Sequence, residues 1–297
     1  MKNLVRTNEF TLAAAAVVGF ATLAVATDFN LLTAGTMDAF LSFLAVPLVI
    51  GLAQMVVLAV GQMNLSVGVL TGFCSMATAW LMVDAALPAS LAVLAALVLG
   101  ALVGLVNGLL VVFTRINGFI VTLATMTILE GLRYGVHGTG TYQGYSPGLR
   151  AMGQASVLGI PVVFLLALAV AVATALFFRR TVSGRRLLAS GGNPFAARLS
   201  GISNDRALVL AHTLSGLLAG VAAVIVVAAF GSVNASIGDD LLLPSFAAPI
   251  IGGVALPGGA VSLARPAPAA LLVPVGDVTP ARFHIQPPPV SPLISRA

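Results

Sequence analysis

Side chains that perform chemistry are few in this sequence, and their spacing does not assemble a catalytic centre. His137, His212 and His284 are widely separated, and the single cysteine, Cys74, lies inside an apolar run. No His/Cys/carboxylate set has metal-ligand spacing. A phosphate-binding loop of the G-x-x-x-x-G-K-[ST] type needs a lysine, and the only lysine is Lys2. We therefore predict a chain that is not an enzyme, holds no metal or cofactor, and relies on a partner subunit to bind any ATP.

The informative polar residues lie inside or beside apolar runs. Polar groups at membrane depth are costly and usually face a bundle interior or a water-filled cavity. They also act as packing contacts by hydrogen bonding between helices, and this structural role stays open for each residue, above all for the histidine. The candidates for a substrate pathway are Gln54, Gln62, Asn64, Asn107, Glu130 and His212. Glu130 and Arg133 stand three residues apart, which predicts a local ion pair.

The elements that position these residues are membrane-spanning helices. The chain has 297 residues, of which 59% are hydrophobic and only 8% charged, and its mean hydropathy is +1.08. So few charges cannot cover a soluble surface, where about a quarter of residues are charged. A span needs roughly 20 apolar residues. We predict an all-α polytopic membrane protein with seven full spans and a broken eighth, at 10–27, 39–60, 65–83, 87–113, 118–134, 160–178, 207–230 and about 241–263.

Basic residues are distributed unevenly between the two sides of these spans. Arg133 and Arg150 fall on one side. Nine others fall on the opposite side: Lys2, Arg6, Arg115, Arg179, Arg180, Arg185, Arg186, Arg198 and Arg206. Cytoplasmic loops carry the excess of Lys and Arg, so the N-terminus and the 179–206 segment are predicted to be cytoplasmic. This placement beside apolar runs also argues against a nucleic-acid partner.

The 179–206 segment contains the signals of a short helix. Asn193 suits an N-cap, Pro194 suits the first helical position, and Gly201 follows the predicted end. Phe195 and Leu199 are four apart and share one face. That apolar face must be buried against the membrane surface or another protein.

Glycines and amides interrupt the apolar pattern twice. The run GQMNLSVG at 61–68 is typical of a discontinuous helix beside a substrate path, or of a tight turn at the cytoplasmic surface. The run GGVALPGG at 252–259 predicts a half-helix that ends in non-helical backbone.

Four motifs together resemble the permease subunits of bacterial ABC importers of the ribose/xylose/arabinose class. QMNLSVG at 62–68 is similar to the family's G-x-[ID]-L-S-V-G signature, with Asn64 where Asp is usual, and GLVNG at 104–108 matches its G-x-x-N-G. GRRLLASGGN at 184–193, followed by AARLSGI at 196–202, is the most specific match. IGGVALPGG at 251–259 is the fourth. The resemblance covers about residues 10–262.

The resemblance implies a ten-helix-type permease in the bacterial inner membrane. It would move a monosaccharide-type substrate inward by alternating access, with ATP hydrolysed by separate subunits. The implied partners are an ATP-binding ABC subunit, a periplasmic sugar-binding protein, a second permease copy (identical or different) and membrane lipid. The loop implied to dock on the ATPase carries Arg185, Gly191, Gly192, Asn193, Phe195, Arg198, Leu199 and Gly201.

The C-terminal tail departs from the family pattern. Residues 263–297 hold 8 of the 16 prolines, and proline breaks helices. We predict a permease domain at 1–262 and a Pro-rich, disordered tail at 263–297 in place of the family's final helices, through truncation or a frameshift. Alternatives are a natural extension, a branched-chain amino-acid-type permease, a membrane-embedded enzyme using Glu130 and His212, and an inactive remnant.

Overall fold

The computed structural model describes residues 17–22, 24–25, 27, 29–138 and 140–251. Within them, ten α-helices follow one another with four very short strands between. The helices are α1 (Ala34–Leu58), α2 (Val67–Val83), α3 (Ala89–Thr114), α4 (Gly118–His137), α5 (Pro147–Gln154), α6 (Val162–Arg180), α7 (Val182–Gly192), α8 (Pro194–Leu199), α9 (Asn204–Phe230) and α10 (Leu242–Ile251). The strands are β1 (Thr141–Gln143), β2 (Ser156–Val157), β3 (Ile160–Pro161) and β4 (Ser232–Asn234), and 3₁₀ turns occupy Asn30–Leu32 and Asp239–Leu241.

Five of these helices are long and apolar enough to cross a membrane: α1, α3, α4, α6 and α9. They confirm the all-α polytopic class and correspond to the predicted spans at 39–60, 87–113, 118–134, 160–178 and 207–230. The predicted span at 65–83 is α2, a 17-residue helix that rises only about 25 Å. Half of the predicted span at 10–27, the second half of 241–263 and the tail lie outside the described residues.

The centre of the bundle is built on α1 and α9. Every residue of α1 from Leu44 to its end is buried, which is the property of a helix that is hydrophobic all round and surrounded by others. By contrast, α3 exposes an apolar stripe that includes Leu94, Val98 and Leu102. Exposed apolar side chains along a spanning helix face lipid acyl chains.

The packing of α9 against α3 depends on glycines. A Cβ on Gly216 would collide with the carbonyl oxygen of Gly100, and one on Gly220 would lie 2.6 Å from the carbonyl oxygen of Ala96. In lipid, helices gain little from apolar burial against each other, so small residues that let backbones approach provide much of the association. These glycines bring α3 and α9 into direct backbone contact.

The two ends of the bundle differ in charge and structure. At one end, Arg115 forms a bidentate ion pair with Asp205, with N···O distances of 2.7 and 3.1 Å. This pair places the turn after α3 beside the first turn of α9, at the same end of the bundle, as the predicted topology requires. We call this end, with Arg179, Arg180 and the 181–206 segment, the basic end.

A compact cap covers the opposite end. β1 pairs antiparallel with β4, with Tyr142 opposite Val233. Tyr145 donates a hydrogen bond to the carbonyl of Val227 at 2.9 Å, and burial raises the pKa of Tyr145 to about 12. The 140–161 segment, which includes α5, therefore packs on the end of α9.

We expect Gly216→Ala to destabilise the bundle because the new methyl group must displace the backbone of α3. Overpacking costs about 1–3 kcal/mol. The measurement is the thermal midpoint in detergent, followed with a thiol-reactive dye, since the single cysteine, Cys74, is fully buried. Gly131→Ala is the matched control: nothing lies within 4 Å of its added Cβ, so its midpoint should stay equal or rise slightly. Equal midpoints for both variants would contradict the assigned contact.

Candidate functional site

The chain between α1 and α2 breaks the helix inside the bundle rather than at its surface. Residues 59–66 are non-helical, yet Asn64 and Ser66 are fully buried. Asn64 contacts Ser215, the twelfth residue of α9 and about 17 Å along that helix. The short α2 thus begins at membrane depth. This geometry corresponds to the discontinuous-helix alternative rather than to a surface turn.

Hydrogen bonds from Asn64 satisfy the polar groups of this break. Its amide nitrogen donates to Ser215 Oγ at 3.0 Å, and its oxygen accepts from the N–H and hydroxyl of Ser66 at 3.0 and 2.7 Å. Asn107 Nδ2 donates to Ser66 Oγ at 3.3 Å, and Thr125 Oγ1 donates to Asn107 Oδ1 at 2.6 Å. These five residues form a polar network that joins α2, α3, α4 and α9.

A second polar contact lies where α4 begins. Gln62 Oε1 accepts a hydrogen bond from the N–H of Gly118 at 2.8 Å. A Cβ on Gly118 would lie 2.6 Å from that oxygen and 3.3 Å from His212 Nε2. The side chains of Gln62 and His212 therefore both approach Gly118, where the absence of a side chain leaves room for them.

His212 is fully buried, yet neither ring nitrogen has a hydrogen-bond partner in the described part of the chain. Its backbone packs on the glycines of α3, since a Cβ on Gly104 would collide with the His212 carbonyl oxygen. The hydrogen bonding between helices that the sequence left open above all for this histidine is absent from the described residues, because both ring nitrogens are unsatisfied.

The other two candidates lie apart from the polar network. Gln54 is fully buried on α1, and neither atom of its amide has a partner among the described residues. Glu130 is exposed on α4. The structure therefore brings together Gln62, Asn64, Asn107 and His212, and leaves Gln54 and Glu130 separate.

The predicted ion pair between Glu130 and Arg133 is wrong. Arg133 is fully buried, donates to the carbonyl of Ile237 at 2.7 Å and forms an ion pair with Asp239. Three residues along a helix span nearly a full turn, but the Arg133 side chain points inward and Glu130 outward. Arg133 holds the segment after β4 against α2, where a Cβ on Gly72 would lie 2.7 Å from its Nη1.

Sequence analysis missed the hydroxyl groups that complete these contacts. Thr122 Oγ1 accepts from the N–H of Leu65 at 3.0 Å and donates to the Gly118 carbonyl at 2.7 Å. Serine and threonine in spanning helices commonly bond to their own helix, so residue type alone gives little warning. The spacing of Gly118, Thr122 and Thr125, which places them on one face of α4, is the sequence feature that indicates a polar contact along this helix.

At the basic end, the predicted short helix is confirmed as α8. Asn193 Oδ1 caps it by accepting from the N–H of Ala196 at 3.0 Å, Pro194 occupies the first turn, and Gly201 follows with a left-handed φ of 76°. Phe195 and Leu199 are 73% and 75% exposed. Their apolar face has no partner within the described residues.

Two contacts attach α7 and α8 to the bundle. Asn204 accepts from Ser190 Oγ at 2.9 Å and donates to the Pro194 carbonyl at 2.9 Å, linking α7, α8 and α9. Gly191 lies directly on the carbonyl of Ala59 at the end of α1. Gly192, Arg185 and Arg198 are exposed. These contacts join α7 and α8 to the start of α9, and α7 to the end of α1.

The chemistry available at these sites is hydrogen bonding by neutral groups. The polar network and the Gln62–His212 pair offer amides, hydroxyls and an imidazole. Within the described residues, no group of three or more His, Cys, Asp or Glu side chains is arranged to hold a metal ion. Five long apolar helices around a buried polar break define a multi-pass helical membrane protein.

Comparison with known proteins supports this class. The family described as "Branched-chain amino acid transport system / permease component" matches residues 36–279. The autoinducer 2 import system permease protein LsrD of Photorhabdus luminescens is 30% identical over 275 residues, covering 89% of this chain and 81% of LsrD. LsrD of Escherichia coli (strain K12) is 32% identical over 252 residues, covering 83% and 74%. No solved structure matches the chain.

This chain belongs to the branched-chain amino acid transport system / permease component family. The prediction of an ABC importer permease subunit, multi-pass in the inner membrane, is thereby confirmed. The family match extends to residue 279, past the boundary predicted at 262. The alternative of a branched-chain amino-acid-type permease falls within the same family.

We expect Arg133→Gln to destabilise the protein and Glu130→Gln to leave it unchanged. Removing one partner of a buried pair costs about 3–5 kcal/mol and of an exposed pair about 1 kcal/mol or less. Arg133 is buried but Asp239 is partly exposed, so the loss should fall between these values. The thermal unfolding midpoints of the two variants are compared by following the reaction of Cys74 with a thiol-reactive dye. A larger loss for Glu130→Gln would contradict the pairing.

Proposed function

We propose that this chain is the membrane subunit of an importer whose ATPase docks on α8. The observation that carries the proposal is the pair of exposed apolar side chains, Phe195 and Leu199, on a helix that is capped and held in place. An exposed apolar patch on a protein surface usually marks a site where another molecule binds. The sequence contains no phosphate-binding loop, so in this proposal a partner subunit hydrolyses ATP. The conformational change of that subunit would reach this chain through α8.

The basic end faces the cytoplasm in this proposal. Six arginines occur between residues 179 and 206, against one carboxylate, Asp205. The positive-inside bias places that end and the N-terminus where a cytoplasmic ATPase reaches α8. The cap on β1, β4 and α5 then faces the periplasm, the side from which a substrate-binding protein delivers its cargo.

The substrate pathway runs beside the break between α1 and α2. Gln62, Asn64, Asn107 and His212 are its inner part, and Gln54 belongs to it on the α1 side. In the described conformation the Gln62–Gly118 bond and the polar network close this region. Alternating access would open it as the ATPase moves α8, because Asn204 and Gly191 connect that helix to α9 and α1.

The lining favours a neutral, oxygen-rich substrate. The four residues brought together carry amides and an imidazole but no carboxylate or guanidinium. A zwitterionic amino acid in such a site would leave charges unpaired, which is expensive at low dielectric, whereas sugar hydroxyls suit amide donors and acceptors. Autoinducer 2, named for the LsrD relatives, and ribose are therefore the substrates to test first. A second permease copy would complete the transporter.

We expect a Phe195→Ser/Leu199→Ser double variant to lose a co-expressed ATPase subunit of an ABC importer on purification in detergent. Burying a Phe or Leu side chain contributes about 1.5–3 kcal/mol, so recovery should fall by roughly tenfold or more. Leu158→Ser is the control: Leu158 is 98% exposed but lies between β2 and β3, at the opposite end. Unchanged recovery for the double variant, with normal membrane insertion, would contradict docking on α8.

We expect His212→Leu to reduce uptake without reducing stability. Both ring nitrogens lack partners, so their removal leaves no protein group unsatisfied and the unfolding midpoint should stay equal or rise. Uptake of labelled autoinducer 2 and ribose is measured in cells that also contain the neighbouring ATPase and binding protein. His212→Gln, which keeps a donor and an acceptor, should retain part of the activity. Wild-type uptake by His212→Leu would remove His212 from the pathway.

A further inference from the structure

A cavity at the basic end lies between α7, the turn after α8 and the start of α9. Its volume is about 210 Å³. Four polar residues line it, Ser183, Arg186, Ser203 and Arg206, together with the apolar residues Leu187, Ile202, Ala207 and Leu210. This cavity is separate from the polar network and from the exposed face of α8.

The charge of the cavity is uncompensated. Within the described part of the chain, neither the Arg186 nor the Arg206 guanidinium has a hydrogen-bond or ion-pair partner. Asp205, the one carboxylate between residues 179 and 206, is held by Arg115 in a bidentate pair. Two guanidinium groups and two hydroxyls at one cavity match a phosphate, which arginine binds through charge-assisted, often bidentate hydrogen bonds.

The apolar lining distinguishes an amphiphile from a free anion. Along α9, Ser203 and Arg206 stand at the start of the helix, and Ala207 and Leu210 follow toward the bundle interior. Leu210 is about 9 Å along the helix from Asn204. A ligand here meets cations at the membrane surface and hydrocarbon below it, which is the order of groups in a phospholipid.

We propose that this cavity binds the phosphate headgroup of an anionic phospholipid from the leaflet at the basic end. Clusters of basic residues directly beside the cytoplasmic end of a spanning helix bind such headgroups. Because α7 and α9 both contribute to the lining, a bound lipid would tie the docking segment to α9. The site requires no ATPase, so its test is independent of the proposed docking on α8.

The test uses the full-length chain in detergent and native mass spectrometry with added phosphatidylglycerol or phosphatidylcholine. Phosphatidylglycerol should be retained in preference to phosphatidylcholine. Arg186→Gln/Arg206→Gln should weaken its retention by roughly tenfold, since two charged donors are lost. Arg179→Gln/Arg180→Gln is the matched control, because it removes two exposed arginines of the same end that do not line the cavity, and it should change retention by about twofold or less.

Three results would overturn the proposal. Equal weakening by both double variants would show attraction to the general surface charge instead of a site. Displacement of phosphatidylglycerol by millimolar inorganic phosphate would assign the cavity to a free anion. Equal retention of the two lipids by the wild-type chain would remove the headgroup charge from the recognition.

Discussion

The structure depends on one constraint, that polar backbone and side-chain groups inside a membrane must bond to each other. Residues 59–66 interrupt the helix, and Asn64 and Ser66 in this break are fully buried in the bundle, where polar groups must find partners within the protein. Asn64 resolves this by bonding to Ser66 within the break and to Ser215 on α9. The glycines of α3 and α9 make the arrangement possible, because only direct backbone approach brings Asn107 close enough to join the network.

The buried polar side chains of the bundle differ in whether their hydrogen-bonding groups are satisfied. Asn64 and Asn107 have partners for both the nitrogen and the oxygen of their amides, so their bonds hold the bundle together. Gln54 and His212 are just as buried but lack partners among the described residues. Leaving a buried donor or acceptor unpaired costs about 1–3 kcal/mol; under the proposed function, a substrate hydroxyl or water would remove that penalty.

The basic end gathers the features that would couple the bundle to its surroundings. Asn204 links α7, α8 and α9, and Gly191 rests on the end of α1. Under the proposed function, a displacement of α7 and α8 would act on α9 and on the end of α1, where the polar break begins. At the other end of the bundle, the Arg133–Asp239 ion pair fixes the segment after β4 against α2.

Much of the fold was predictable from sequence because lipid imposes a simple rule on composition and length. Apolar runs located the five long helices, and the Asn-Pro-…-Gly pattern located α8, since capping is a local property. Pairing between distant residues was not predictable in the same way. Glu130 is near Arg133 in the chain, but the partner of Arg133 is Asp239, more than a hundred residues away. Arg133 is buried against the segment after β4, whereas Glu130, less than a full turn away on the same helix, is exposed.

The amino-acid sequence by itself determined that this is a helical membrane protein with one strongly basic end, no lysine able to bind nucleotide phosphates, and a capped helix with an uncovered apolar face. These properties follow from composition and from contacts within a few residues. Only the tertiary structure decided that the break at 59–66 is buried, that Asn64 meets Ser215, and that Arg186 and Arg206 share a cavity. Such juxtapositions depend on how helices far apart in the chain rotate and pack, which local pattern does not encode.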